Sequence, residues 1–234
     1  MQNKINIITI FITFVLGTAF GLFLQTPEIP AKEEKAGNKT EYAFSGEGRQ
    51  TLGPINLKEG LAIIHAKNST GPSDTFSINV TRDENGDGKL DSGEGWTGVG
   101  ISVGYKAAEA YNGKISFKAY NSDYYISVDG GKWEITVTQP EKLKKNAKKM
   151  KKFNGTGDSV TEKFFLKEGV NRFRATYTGD GNFIITLFDE NGNSTSRLVN
   201  EIGNTDLVFE YKNVFDGNYI FAVTAKGSWS IEAR

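Results

Sequence analysis

The chain has 234 residues, with 28 basic and 28 acidic side chains, one histidine and no cysteine. The balanced charge excludes a general attraction to nucleic acid, and no nucleic-acid partner is expected. The lack of cysteine excludes disulfides, thiolate zinc sites and thiol nucleophiles together.

Residues 5–24 form an apolar run broken only by Asn6, three threonines and two glycines. It is long enough to cross a bilayer as a helix. A cleavable signal peptide would use Lys4 and the amino terminus as its positive region, and Gly17 and Ala19 as small residues before the cut. The apolar character continues past Ala19 through Phe20, Leu22, Phe23 and Leu24. A cleavable signal has no need of that, so residues 1–25 read as an uncleaved signal anchor. The remainder then lies on the extracytoplasmic face of the cell membrane, or is secreted if the segment is cleaved. Gly17 and Gly21 form a Gly-x-x-x-Gly face suited to self-association of two anchors. Residues 26–40, with two prolines and mixed charge, read as a stalk.

From Tyr42 onward, short runs alternate apolar and polar residues: Phe76/Ile78/Val80, Ile115/Phe117, Tyr124/Ile126/Val128 and Trp133/Ile135/Val137. Period two between Gly, Asn and Asp clusters predicts antiparallel strands, each with one face buried. The pattern occurs twice. Leu57-Lys58-Glu59-Gly60 returns as Leu166-Lys167-Glu168-Gly169, and Phe44, Gly46 and Gly48 are matched by Phe153, Gly155 and Gly157. Tyr124 to Val128 with Trp133 and Ile135 is matched by Tyr219 to Val223 with Trp229 and Ile231. The expected fold is therefore all-β. It consists of two tandem antiparallel, jelly-roll-like β-sandwiches, residues 41–139 and 153–234, following an N-terminal transmembrane helix. Residues 140–152 carry seven lysines and read as a solvated linker; Leu143, Ala147 and Met150 allow one short helix as the alternative.

Asp83 to Glu94 fits the twelve-residue calcium loop of an EF-hand. Asp83, Asn85 and Asp87 take positions one, three and five, and Gly88 is the turn glycine. Lys89 would offer its carbonyl, Asp91 acts directly or through water, and Glu94 closes the shell bidentately. Ca²⁺ is a hard cation that needs six to eight oxygens, which alternating side chains on a tight loop can supply. The flanks read as strands, so only the loop carries over. The second copy has Asp189-Glu190-Asn191-Gly192-Asn193, lacks the later acids and reads as an ordinary Asn-Gly turn.

Trp96, Tyr105 and Tyr111 lie in a stretch that the second copy lacks and form a candidate ligand surface for a glycan or protein. Trp133 and Trp229 read as core. Asn68 and Asn193, in predicted turns, are the candidate glycosylation sites. Gly100 to Gly104 fits Gly-x-Ser-x-Gly but lies in an alternating strand, and the lone His65 aligns with Arg174 on an outward face. No catalytic residues are assigned, and no enzyme is expected.

The combination of Leu166, Gly169, Phe183, Leu187, Asp189, Gly192, Gly217, Tyr219 and Val223 resembles the pre-peptidase C-terminal domain family. That resemblance implies a non-catalytic β-sandwich appended to exported proteins. The expected role is a membrane-anchored cell-surface binding or scaffolding protein stabilised by calcium. The alternatives are a subunit of a surface filament or surface layer, and a carbohydrate-binding accessory module or hydrolase.

Overall fold

The computed structural model describes residues 32–36, 39–69, 76–90, 96–103, 110–143 and 145–234, with backbone alone for 32–36, 39 and 96–103. The expected anchor, with Gly17 and Gly21, lies outside these residues. Among the described residues no helix is long and apolar enough to cross a membrane.

The described chain is all-β and antiparallel, apart from one isolated parallel bridge between Lys149 and Phe165. The first half holds β1 (Lys32–Ala36), β2 (Lys39–Glu47), β3 (Gln50–Leu57), β4 (Gly60–Ser69), β5 (Phe76–Arg82), β6 (Trp96–Val103), β7 (Asn112–Ala119), β8 (Ser122–Asp129) and β9 (Lys132–Gln139). The second holds β10 (Lys152–Thr156), β11 (Ser159–Val160), β12 (Phe164–Leu166), β13 (Gly169–Thr178), β14 (Asn182–Asp189), β15 (Ser194–Ile202), β16 (Thr205–Asn213), β17 (Gly217–Thr224) and β18 (Ser228–Ala233).

The duplication is visible in the topology. One sheet of the first half runs β1-β2-β9-β4-β7, and its counterpart in the second runs β10-β18-β13-β16. The facing sheets run β3-β8-β5-β6 and β11-β17-β14-β15, with β12 also paired to β17. No hydrogen-bonded sheet mixes strands of the two halves. Alternation sends Ala62, Ile64 and Ala66 of β4 into one core with Phe76, Ile126 and Val137. Phe173, Ala175 and Tyr177 of β13 enter a second core with Ile185, Phe221 and Ile231.

The repeated glycines and tryptophans explain each other. Gly46 pairs with Trp133 across β2 and β9, and Gly155 with Trp229 across β10 and β18. Each indole lies over its glycine and donates Nε1–H to a carbonyl two residues on, Gly48 O and Gly157 O, both at 3.0 Å. Gly48 and Gly157 turn the chain with φ of 69° and 70°. The repeated Lys-Glu-Gly turns are also held alike: Glu59 N–H donates to Asn121 Oδ1 and Glu168 N–H to Asp216 Oδ1.

The lysine-rich joint differs from expectation. It forms no helix, and its C-terminal half is bound to the second sandwich rather than solvated along its length. Ala147 N–H donates to Asn218 Oδ1 at 2.7 Å, Lys148 O accepts from Phe165 N at 3.1 Å, and Lys151 O accepts from Ala233 N at 3.0 Å. Met150 is buried in the second core. The described lysine side chains of the joint remain exposed, but a protease must also free the backbone around the cut. Limited trypsin digestion is therefore expected to cut first after Lys142 and Lys145, with Lys148 to Lys152 protected. Peptide mapping that finds initial cuts after Lys149 or Lys151 would contradict this anchoring.

Candidate functional site

Three places bear on function: the acidic loop, the contact between the halves, and a hollow beside that contact.

The acidic loop follows β5. Asp83 is buried, and its two carboxylate oxygens accept from Gly86 N at 2.6 Å and Gly88 N at 2.8 Å. Gly86 and Gly88 have φ of 76° and 74°, conformations that turn the backbone round this carboxylate. Asn85 Oδ1 accepts from Asp87 N, and Asp87 Oδ1 from Lys89 N. The loop is fastened to its sandwich by Ser122 Oγ–H donating to Asp83 O and Tyr125 OH donating to Gly88 O. Lys89 is exposed. Asp91 and Glu94 lie outside the described residues, and no group of three or more His, Cys, Asp or Glu with metal-binding geometry occurs among the described ones. Each Asp83 carboxylate oxygen accepts one of these two bonds. In the second copy Asp189 Oδ1 accepts from Asn191 N and Asn193 N, which closes a turn five residues long and no more.

Of the expected ligand surface, Tyr111 meets the second half of the chain. Its ring packs on Phe76 at 5.6 Å, and its hydroxyl donates to Asp158 Oδ2 in the second half at 3.0 Å. Burial, then the negative charge of Asp158 and the hydrogen bond to it, hold the Tyr111 hydroxyl far above the ordinary phenol range. Burial likewise raises the Asp158 carboxyl, against the pull of Ala225 N–H and the Tyr111 hydroxyl. Tyr111 is thus an interface residue. Trp96 opens β6 opposite Thr81, and Tyr105 lies outside the described residues.

Both glycosylation expectations meet the same obstacle. Asn68 lies inside β4 rather than in a turn; it is 2% exposed and its Nδ2 donates to Lys132 O. Asn193 Nδ2 donates to Asp189 Oδ2 at 2.7 Å, and its Oδ1 accepts from Lys118 Nζ at 2.8 Å. A glycan on either amide nitrogen would displace these bonds.

Sequence reasoning missed the contact itself. Beyond Tyr111 and Asp158 it includes Lys114 N–H donating to Asp158 O at 3.0 Å and the Lys118–Asn193 bond. Gly192 lies so close that a Cβ there would stand 2.9 Å from Gly60 O. The available signal was the repeat: Asp158 stands where the first copy has Arg49, and such a departure from the duplicated pattern marks a position outside the shared core.

A hollow of about 800 Å³ opens beside Tyr111, lined in part by Glu47, Lys67, Asn68, Ser69 and Glu134. Lys67 and Glu134 pair at 3.4 Å on its rim. Asn68 keeps its Oδ1 buried with no hydrogen-bond partner. The sole histidine, His65, bonds Asn112 Oδ1 through Nε2 at 2.8 Å on the outer face of β4.

No family model and no curated protein matches this chain. Among solved structures it is similar to the tandem CBM22-1–CBM22-2 domains of Paenibacillus barcinonensis Xyn10C, with 10% identity over 87% of this chain and 89% of that one, at a TM-score of 0.26. It is also similar to tripeptidyl peptidase 2, with 7% identity over 88% of this chain and 24% of that one, at 0.28. A third is the M60 catalytic domain with CBM51-1 and CBM51-2 of Clostridium perfringens ZmpB, with 7% identity over 83% and 34%, at 0.23. TM-scores this low establish no shared fold; the β-sandwich assignment rests on strand pairing.

Proposed function

We propose that this chain is a non-catalytic binding and scaffolding protein. Residues 5–24 anchor it at the extracytoplasmic face of the cell membrane, glycan is its ligand class, and Ca²⁺ binds the Asp83 to Glu94 loop. The observation that carries the glycan reading is the hollow beside Tyr111. It joins the edge of Tyr111, the Ser69 hydroxyl, the Asn68 amide and a rim of opposite charges. Sugars present hydroxyls to such groups and an apolar ring face to aromatics. The lone histidine is engaged on an outer sheet face, which supports a non-catalytic role.

A glycan array on the full chain in detergent, followed by calorimetry on the hits, tests this. The double variant Lys67→Ala/Glu134→Ala should lose at least about tenfold in affinity, or 1.4 kcal/mol, with an unchanged melting temperature. Both side chains are largely exposed, so the fold is spared. No hit on the array, or hits indifferent to the variant, would reject the hollow as the site.

A further inference from the structure

The duplication allows each surface of one sandwich to be compared with the same surface of the other. Gly60 pairs with Ala119, and Gly169 with Asn213, so β4 and β7 align residue by residue with β13 and β16. On this alignment Leu61 corresponds to Val170, His65 to Arg174, Lys114 to Val208 and Lys118 to Lys212. The polar pairs follow suit: His65–Asn112 in one copy is Arg174–Asp206 in the other.

Equivalent positions have opposite fates. Leu61 is 2% exposed although it belongs to neither core. It points to the outer face of β4, and Gly192 of the second half lies against its backbone. Val170, in the same place on the second sandwich, is 62% exposed. Further along the same pair of strands Val208, and in the bend after β16 Val214 and Phe215, are exposed at 59, 63 and 74%. In this fold, therefore, the outer face of the sheet is seen covered by a second sandwich once, and uncovered once.

The cover in the first case is the side of the second sandwich that carries β11 and β17, both in contact with β7. Ile220 on the outer face of β17 is 1% exposed without belonging to the second core. The equivalent of Ile220 in the first sandwich is Tyr125, and that position is already taken. Tyr125 is fully buried, and its hydroxyl donates to Gly88 O of the acidic loop. A head-to-tail repetition of the internal contact between molecules is blocked by this loop. That removes the open, fibre-forming geometry.

The uncovered face is also self-complementary in charge. Arg172 pairs with Glu210 directly across β13 and β16, Arg174 pairs diagonally with Asp206, Val170 lies opposite Lys212 and Val208 opposite Arg174. A two-fold axis parallel to the strands sets β16 of one copy against β13 of the other, so that Arg172 and Glu210 each meet the opposite charge across the contact. Strands of this length and number span a face of roughly 30 by 19 Å, which is small for a specific dimer and implies concentration-dependent association. The geometry points to this face, the outer side of β13 and β16 with Val214 and Phe215, as the docking surface for the same face of a second copy of this chain, giving a closed two-fold dimer. The inference rests on the strand pairing and not on the glycan reading.

The test uses the full chain in detergent, as a mixture of unlabelled and ¹⁵N-labelled protein carrying a photo-crosslinking residue at Val208. Mixed-isotope crosslinks are expected within residues 170–215 of both partners. Sedimentation should show a dimer whose population rises with protein concentration and falls at least about tenfold in association constant in Val170→Glu/Val208→Glu. Both replaced side chains are exposed, so an unchanged circular dichroism melt is expected to show that the variant is folded. Crosslinks to residues 83–90 of the partner would overturn the two-fold geometry in favour of head-to-tail packing. A dimer that survives the double variant would place association elsewhere, at Gly17 and Gly21, and overturn the proposal. A monomer at every concentration, with no mixed crosslinks, would do the same.

Discussion

Replacing Gly155 by alanine is expected to destabilise the second sandwich by about 3 kcal/mol, with Gly46→Ala acting likewise on the first. An alanine Cβ at Gly155 would stand 2.7 Å from Trp229 Cε2, and one at Gly46 would stand 2.5 Å from Trp133 Cζ2. Neither indole can move aside freely. Trp133 is 2% and Trp229 5% exposed, and each is pinned by its Nε1–H bond. Relief requires giving up that bond and part of the ring's packing, which overpacked cores do at a cost of about 1–3 kcal/mol, with about 1 kcal/mol more for the lost hydrogen bond. The neighbouring Gly48 separates this from a backbone effect. Gly48 has φ of 69° and nothing within 4 Å of a modest side chain. Gly48→Ala should therefore cost only the left-handed penalty, about 1 kcal/mol. Urea unfolding of the three variants measures the order. Equal effects of Gly46→Ala and Gly48→Ala would mean that the turn, and not the indole, sets the requirement for glycine.

Calcium is expected to raise the melting temperature of the full chain, by an amount equivalent to about 2.7 kcal/mol at a hundredfold excess over its dissociation constant. Asp87→Ala should abolish the shift and leave calcium-free stability nearly intact, because Asp87 is exposed and, among the described residues, its side chain accepts from Lys89 N alone. Asp83→Ala should do more. It removes the acceptor for two backbone N–H groups at a buried position, and it should lower calcium-free stability by about 2–3 kcal/mol. The two variants thus separate the residue that builds the loop from the one that would only bind the ion. Calorimetry showing no binding heat and no thermal shift at millimolar Ca²⁺ would make the segment a long acidic turn held by Asp83.

The sequence carried a great deal of the architecture because its signals are local. Alternation of apolar residues needs only one strand to be visible, and the exact return of Leu-Lys-Glu-Gly made the duplication plain. The matched glycines and tryptophans were legible as repeats, although their pairing across the sheet was not. The loop at Asp83 was legible as spacing. Asn68 was misplaced in a turn because β4 runs three residues past Ala66, the last of its apolar pattern, and a buried asparagine near its end reads as a surface residue.

What the amino-acid sequence determined by itself was the all-β class, the two copies and the position of the acidic loop. Those depend on side-chain periodicity and on glycine where φ is positive, both of which are written residue by residue. The tertiary structure decided which outer faces are covered. Tyr111, Lys114 and Lys118 meet Asp158 and Asn193 only when two folded sandwiches lie side by side. Leu61 and Val170 occupy the same place in the repeat, and both are apolar. One is buried and the other exposed because burial of an outward residue depends on a neighbouring body, and no pattern within a strand records that neighbour.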